Sequence, residues 1–347
     1  MLLIKKKYYE HVDGIYPSVI NKKRSESNIK QKFDLRTEIP HNSILETIGN
    51  TPLIKIGNIY AKLETTNPTG SIKDRLAWYL VKKAEERGEL KKGDTIIEAT
   101  SGNTGISLAM ISAIRGYRFI AIMPQSINSE KQKMMESFGA EIVLTPAKKS
   151  RKVSLEIYEK LVTQFKNVWL PRQFENPDVI NAHRDGIGRE IIDQMNGNID
   201  AFVTCAGSGG TLFGVSLALK QINPKVRIVA IEPTASDGVT CIPGCHSISG
   251  IGDDFIPSHI RENRHLIDEV VTISGQNALK TCKELTRKYG VLVGISSGAN
   301  VLAARKIAQK YRNVITILPD RGERYLSFFN EKNPIETGFL LTTNITD

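Results

Sequence analysis

The stretch NPTGSIKDR, residues 67–75, sets Lys73 behind a proline, a glycine and two hydroxyl side chains, in the opening turn of a predicted helix. A lysine amine becomes a nucleophile only where it can lose its proton near neutral pH, which calls for a desolvated setting. The uncharged NPTGSI approach is compatible with that; the other reading is a solvated surface cation. A reaction partner for Lys73 is suggested by three polar, glycine-rich turns at predicted strand-to-helix junctions. The turn GSGGT, Gly207, Ser208, Gly209, Gly210 and Thr211, offers free N–H groups at a helix start and a hydroxyl donor, which suits a phosphate monoester. It lacks the Walker and dinucleotide spacings, and its other reading is a tight turn that binds nothing. The turn TSGNTG carries Thr100, Ser101, Asn103 and Thr104, enough donors to surround a carboxylate, although Ser and Thr there also serve as helix caps. In GISSGAN, Ser296 or Ser297 is either a ligand partner or an N-cap. A phosphate-anchored aldehyde in the GSGGT turn would give Lys73 a carbonyl with which to form a Schiff base.

These turns need strands and helices to hold them. TIIEAT, FIAIMP, EIVLTP, AFVTCA, RIVAIEP and VITILPD are short apolar runs, and ISLAMISAIRG, KQKMMESFGA, LFGVSLALKQI and VLAARKIAQKYR between them have helical spacing. The apolar VLV before GISSGAN is expected to be another strand. Alternation of buried strands and helices predicts an α/β protein, a parallel sheet covered on both faces. In such sheets ligands bind beyond the carboxyl ends of the strands, where all three turns fall. Residues 1–40 lack sustained periodicity and are expected to form a basic extension, with nine Lys/Arg against five Asp/Glu.

At 347 residues, 40% apolar and 24% charged, the composition is that of a globular protein of about two domains. The N-terminal apolar run is too short for a secretory core, and no run approaches the roughly 18 residues that span a bilayer. Four cysteines (Cys205, Cys241, Cys245, Cys282) are too scattered for a disulfide framework, so a reduced, cytoplasmic setting is expected. The net charge of +10 has no aromatic-basic stripe with it, which argues against nucleic acid and for small anionic substrates or a solvated basic surface. Cys241, Cys245 and His246 in CIPGCH supply three soft ligands without a matching second pair, and no metal is expected.

Taken in order, NTPL, NPTGSIKDR, TSGNTG, SEKQKMMESFGAEIV, GSGGT, GIGDDFIP and GISSGAN resemble the cysteine synthase and cystathionine β-synthase family of fold-type II pyridoxal-phosphate enzymes. The resemblance runs from SILETIGNTPLIKI to ILPDRGERYL. It implies two doubly wound open-sheet domains, 41–183 and 184–347, with pyridoxal 5'-phosphate in the cleft between them, and a homodimer acting on small amino acids. By the same resemblance Lys73 carries the cofactor and later takes the substrate's Cα proton. Asn103 meets the ring hydroxyl, Gly207 to Thr211 hold the phosphate, and Ser296 faces the pyridine nitrogen. Thr100, Ser101, Gly102, Thr104, Gln173 and Gly250 match positions that hold the amino-acid substrate. A neutral hydroxyl at the ring nitrogen makes a weaker electron sink than a carboxylate partner would allow. The implied reaction is therefore β-replacement through an aminoacrylate, with cysteine synthase as the leading expectation.

The chain also departs from that pattern. TPAKKSRKVSL and CIPGCHSISGIGDDF stand where O-acetylserine sulfhydrylases carry other wording. Asp254 in GIGDDFIP matches an acidic position of cystathionine β-synthases, where a carboxylate is either a general base for the incoming nucleophile or a surface aspartate. HRDGIGREI and ILPDRGERYL resemble synthases that join O-phosphoserine to glutamate. Serine/threonine dehydratases are the more distant alternative.

Overall fold

The computed structural model describes residues 41–100, 102–125, 129–146, 151–234, 248 and 256–329. The expectations for residues 1–40, Ser101, Cys241, Cys245, His246, Gly250 and Asp254 lie outside the described residues. Among the described residues, ten strands form two sheets. The first has the order β1-β2-β10-β7-β8-β9: β1 (Leu53–Ile56), β2 (Ile59–Leu63), β7 (Ala201–Cys205), β8 (Arg227–Pro233), β9 (Glu269–Ile273) and β10 (Val314–Leu318). Only β1 is antiparallel to its neighbour. The second sheet is wholly parallel, ordered β5-β4-β3-β6: β3 (Thr95–Ala99), β4 (Arg118–Pro124), β5 (Glu141–Thr145) and β6 (Val168–Trp169).

The apolar runs become strands because both of their faces are covered. In β7, Ala201, Val203 and Cys205 join the core under α9 (Gly275–Tyr289) and α10 (Ile295–Ile307), while Phe202 joins the opposite core. That second core includes Leu212, Phe213 and Val215 of α7 (Gly210–Ile222) and Ile191 of α6 (Arg189–Gln194). The smaller sheet is covered in the same way. Ile96, Phe119 and Ala121 pack with α1 (Lys73–Glu86) and α2 (Asn103–Arg115), and Ile97, Ile120 and Ile122 pack with Tyr158 of α4 (Arg151–Val162). A strand buried on both faces reads as a continuous apolar run.

The six expected strands are β3, β4, β5, β7, β8 and β10. VLV is not a strand: only Val293 bridges, to Arg321. Gly290, in the left-handed region at φ 67, ends α9, and α10 begins at Ile295, so too few residues remain between them for a ladder. The helix there starts inside GISSGAN rather than after it.

Candidate active site

Four segments meet beyond the carboxyl ends of β2, β3, β7 and β10. The 69–73 loop after β2 is stitched to the turn after β10. Ile72 N–H donates to Pro319 O at 2.8 Å, and Arg321 N–H donates to Gly70 O at 3.1 Å. Gly70 has φ 81, and a Cβ there would reach 3.0 Å from Arg321 Cγ. Gly294, at the mouth of α10, donates its N–H to Asp320 O at 3.0 Å. The loops carrying Lys73 and Ser296 are therefore both held by the 319–321 segment.

Lys73 opens α1 and is half-buried; its N–H donates to Ser71 Oγ at 3.3 Å. The next residue, Asp74, is buried and accepts from Thr69 N–H at 2.7 Å, Thr69 Oγ1 at 2.5 Å and Ser107 Oγ at 2.5 Å. Burial raises its carboxyl from the ordinary range despite those bonds. This clasp fixes the NPTGSIKDR loop against α2. Arg75 enters a buried network with Glu64, Glu190, Thr51 and Lys62 that ties α1 to β2 and α6.

The glycine turn leads β7 into α7. Gly209 is left-handed at φ 87, and no side chain caps the helix, so the first N–H groups of α7 have no intrahelical partner. A Cβ on Gly210 would collide with Val179 Cγ1 and lie 3.2 Å from Val179 O. Thr211 Oγ1 lies 3.3 Å from Nε2 of the buried His183, at the end of α5 (Asp178–His183). Burial, then the charges of Lys73 and Arg75, hold His183 well below its ordinary pKa, so its imidazole is neutral. His183 thus lies against the glycine turn as a neutral, buried ring. Gly210 N–H reaches only a long 3.5 Å bond to Ser208 Oγ, and this helix start, with glycines that admit close approach, fits the phosphate of a phosphate-bearing aldehyde.

The turn after β3 has a different chemistry. Gly102 caps α2, Thr100 is buried, and Thr104 Oγ1 donates to Gln173 Oε1 at 2.7 Å. Gln173 follows Arg172, whose φ of 51 is left-handed, and both N–H groups donate to the buried Glu98, at 3.3 and 3.1 Å. Burial raises Glu98 to about 7, against the N–H groups that favour its charged form. Ser296 lies buried in the first turn of α10; beside it, Ser297 Oγ is buried without a partner among the described residues.

The structure sets His183 against Thr211 of the 207–211 turn, and separately pairs Thr104 with Gln173. Asn103 is turned toward Asp320 and Arg324. Sequence reasoning missed His183, Glu98, Asp320 and Arg324. HRDGIGREI and ILPDRGERYL had drawn attention as segments, but nothing in them marked which side chain faces the site.

An open α/β sheet with a glycine-rich helix start beyond its strand ends is an arrangement that suits phosphate-bearing ligands. The chain belongs to the family described as pyridoxal-phosphate dependent enzyme, which it matches over residues 44–320. It is 45% identical over 294 residues to cysteine synthase B of Campylobacter jejuni, covering 83% of this chain and 97% of the relative. Among solved structures it is similar to O-ureido-L-serine synthase, with a TM-score of 0.81, 38% identity, and coverage of 88% of this chain and 100% of that one. It is also similar to O-acetylserine sulfhydrylase isoform 3 from Entamoeba histolytica, with a TM-score of 0.80 and 36% identity over 87% of this chain and 96% of that one.

Proposed function

We propose that the chain is a cysteine synthase: it replaces the leaving group on Cβ of O-acetylserine or O-phosphoserine with sulfide. The observation that supports this reading is the glycine turn at the start of α7, where Gly209 is left-handed at φ 87, Val179 leaves no room for a Cβ on Gly210, and Thr211 Oγ1 lies 3.3 Å from Nε2 of the buried His183. Bound pyridoxal phosphate supplies the electron sink that makes the substrate's Cα proton removable. Lys73 Nζ would hold the cofactor by its aldehyde group and would serve as the base for the substrate's Cα proton. The N–H groups of Gly207, Ser208, Gly209, Gly210 and Thr211 bind the phosphate dianion, and the α7 dipole favours its charge.

His183, kept neutral, adds no second charge there; with its ring proton on Nε2 it would donate to Thr211 Oγ1 and leave the Thr211 hydroxyl proton for that dianion. Asn103 donates to the ring oxygen. Ser296 Oγ meets the ring nitrogen as a neutral hydroxyl, which steers the chemistry to β-replacement. Thr100, Ser101, Thr104 and Gln173 orient the substrate carboxylate, and Gly102 and Gly250 complete the substrate site; the Thr104–Gln173 bond of 2.7 Å supports this for two of them. Asp254 is the general base for the incoming nucleophile. The lobes 41–183 and 184–347 remain part of the proposal, although β1 and β2 pair into the larger sheet beside β10, so only β3 to β6 form a sheet wholly within the first. The reading extends to a cytoplasmic homodimer. Among the described residues no helix is long and apolar enough to cross a membrane, and Cys205 and Cys282 are buried free thiols.

A second reading, transfer to another nucleophile, draws support from the likeness to O-ureido-L-serine synthase. A grid of donors against acceptors separates the two. Serine, O-acetylserine, O-phosphoserine and cysteine are each offered sulfide, homocysteine, glutamate, hydroxyurea or water. Fastest turnover of an activated serine with sulfide supports cysteine synthase. Faster turnover with another acceptor overturns it, and ketoacid release without an acceptor points to a dehydratase.

A further inference from the structure

Asn103 opens α2, and its side-chain amide sits between two charged groups more than two hundred residues further along the chain. Its Nδ2 donates to Asp320 Oδ2 at 2.7 Å, and its Oδ1 accepts from Arg324 Nη1 at 2.5 Å. Asp320 is 2% exposed and Arg324 4% exposed, so water competes little with either contact. Only one orientation of the amide satisfies both. Turning it over would set its oxygen against the carboxylate and its NH2 against the guanidinium. Asparagine's χ2 is otherwise broad, so an unbraced amide would sample many planes.

The brace is itself braced. Arg324 Nη2 donates to Thr69 O, in the loop that carries Lys73. Tyr325, also buried, donates its hydroxyl to the same Asp320 Oδ2 at 2.6 Å, and the Lys131 ammonium lies 4.9 Å from the centre of the Tyr325 ring. Asp320 backbone oxygen accepts from Gly294, two residues before Ser296. The segment 320–325 therefore joins the Lys73 loop, the start of α2 and the mouth of α10.

We propose that Asp320 and Arg324 are positioning residues for Asn103. They fix its amide plane, so that one Nδ2 hydrogen is held by Asp320 and the other is presented to the cofactor's ring oxygen. The inference rests on the proposed contact between Asn103 and that oxygen. A fixed donor contributes binding without the entropy of ordering a free side chain. The same hydrogen bond acts on an oxygen conjugated with the cofactor ring, so its loss has an optical signature.

The test uses the purified holoenzyme and two readouts, the visible absorption maximum and the cofactor dissociation constant by equilibrium dialysis. Asn103→Ala shifts the maximum and weakens cofactor binding about tenfold, the size of one well-placed hydrogen bond. Asp320→Leu, which removes the acceptor, does the same. Asp320→Asn, which keeps an acceptor oxygen, remains within about threefold of wild type. The double variant Asn103→Ala/Asp320→Leu is no worse than Asn103→Ala alone, because the two act through one group.

Asp320→Leu with wild-type spectrum and affinity, beside an impaired Asn103→Ala, overturns the inference and spares the contact. Multiplying losses in the double variant overturn it too, since Asp320 would then act elsewhere. An unchanged Asn103→Ala refutes the underlying contact and the inference with it. Should Asp320→Leu fail to fold, Arg324→Met takes its place in the same cycle, with the same expected non-additivity and the same refuting outcome.

Discussion

Glu190→Gln tests whether the charge network behind Lys73 holds α1 in place. Glu190 Oε1 accepts from Arg75 Nη1 at 2.6 Å and from Asn50 N–H at 2.9 Å; Oε2 accepts from Arg75 Nη2 at 2.8 Å and lies 2.7 Å from Lys62 Nζ. The side chains of Lys62 and Arg75 are 0% and 5% exposed, and that of Glu190 is 17% exposed. Burial alone would raise the Glu190 carboxyl, but the bonds and charges of Arg75 and Lys62 outweigh it and hold it at about 2, below its reference of 4.5. That depression corresponds to about 3 kcal/mol of stability. Because the folded pKa is lowered, the contribution is complete above the unfolded pKa and is lost as pH falls toward the folded one. Gln cannot replace the carboxylate, since its NH2 would face a cationic donor whichever way it turns.

Chemical denaturation at pH 7 should find Glu190→Gln about 3 kcal/mol less stable than wild type, the gap shrinking to roughly half by about pH 3. A deficit below about 1 kcal/mol at pH 7, or one that does not shrink in acid, would refute the reasoning.

Three further outcomes follow from the site. Gly210→Ala, whose Cβ collides with Val179 Cγ1, should displace the first turn of α7 and weaken cofactor retention at least about tenfold, read by dialysis; wild-type retention would contradict the cradle. Gln173→Leu should raise KM for the amino-acid donor about tenfold and leave KM for the acceptor unchanged, because Gln173 and Thr104 are assigned to the donor's carboxylate. For Glu98, whose pKa is raised to about 7 against a reference of 4.5, the neutral form is favoured in the fold. Its contribution is complete below the unfolded pKa and lost as pH rises through the folded one. Wild type should therefore lose up to about 3 kcal/mol relative to Glu98→Gln between about pH 4.5 and 8, measured from denaturation midpoints. A pH-independent difference would sink that assignment.

Much of this architecture was legible in the chain, for identifiable reasons. TIIEA, AFVTC and VITIL read as strands because both of their faces are covered, so no charged residue interrupts the run except Glu98, whose carboxyl finds the N–H groups of residues 172–173. GSGGT and NPTGSIKDR were visible because phosphate and amine chemistry each require particular residue types at a helix start. The strand expected at VLV failed because helix caps on either side leave no length for pairing, a matter of tertiary spacing. The brace on Asn103 was invisible for another reason. Asp320 and Arg324 lie in a segment with no periodicity, and they meet Asn103 only because β10 ends beside the Lys73 loop. His183 was hidden inside a helix, where a lone histidine has no distinguishing pattern.

The central claim is that Lys73 Nζ carries the cofactor whose phosphate sits in the Gly207–Thr211 turn. Borohydride reduction of the holoenzyme followed by peptide mapping tests it most directly. A single modified lysine, Lys73, and a colourless Lys73→Ala protein are the expected results. The cofactor fixed to any other lysine, or yellow colour that survives Lys73→Ala and is reducible by borohydride, would contradict it.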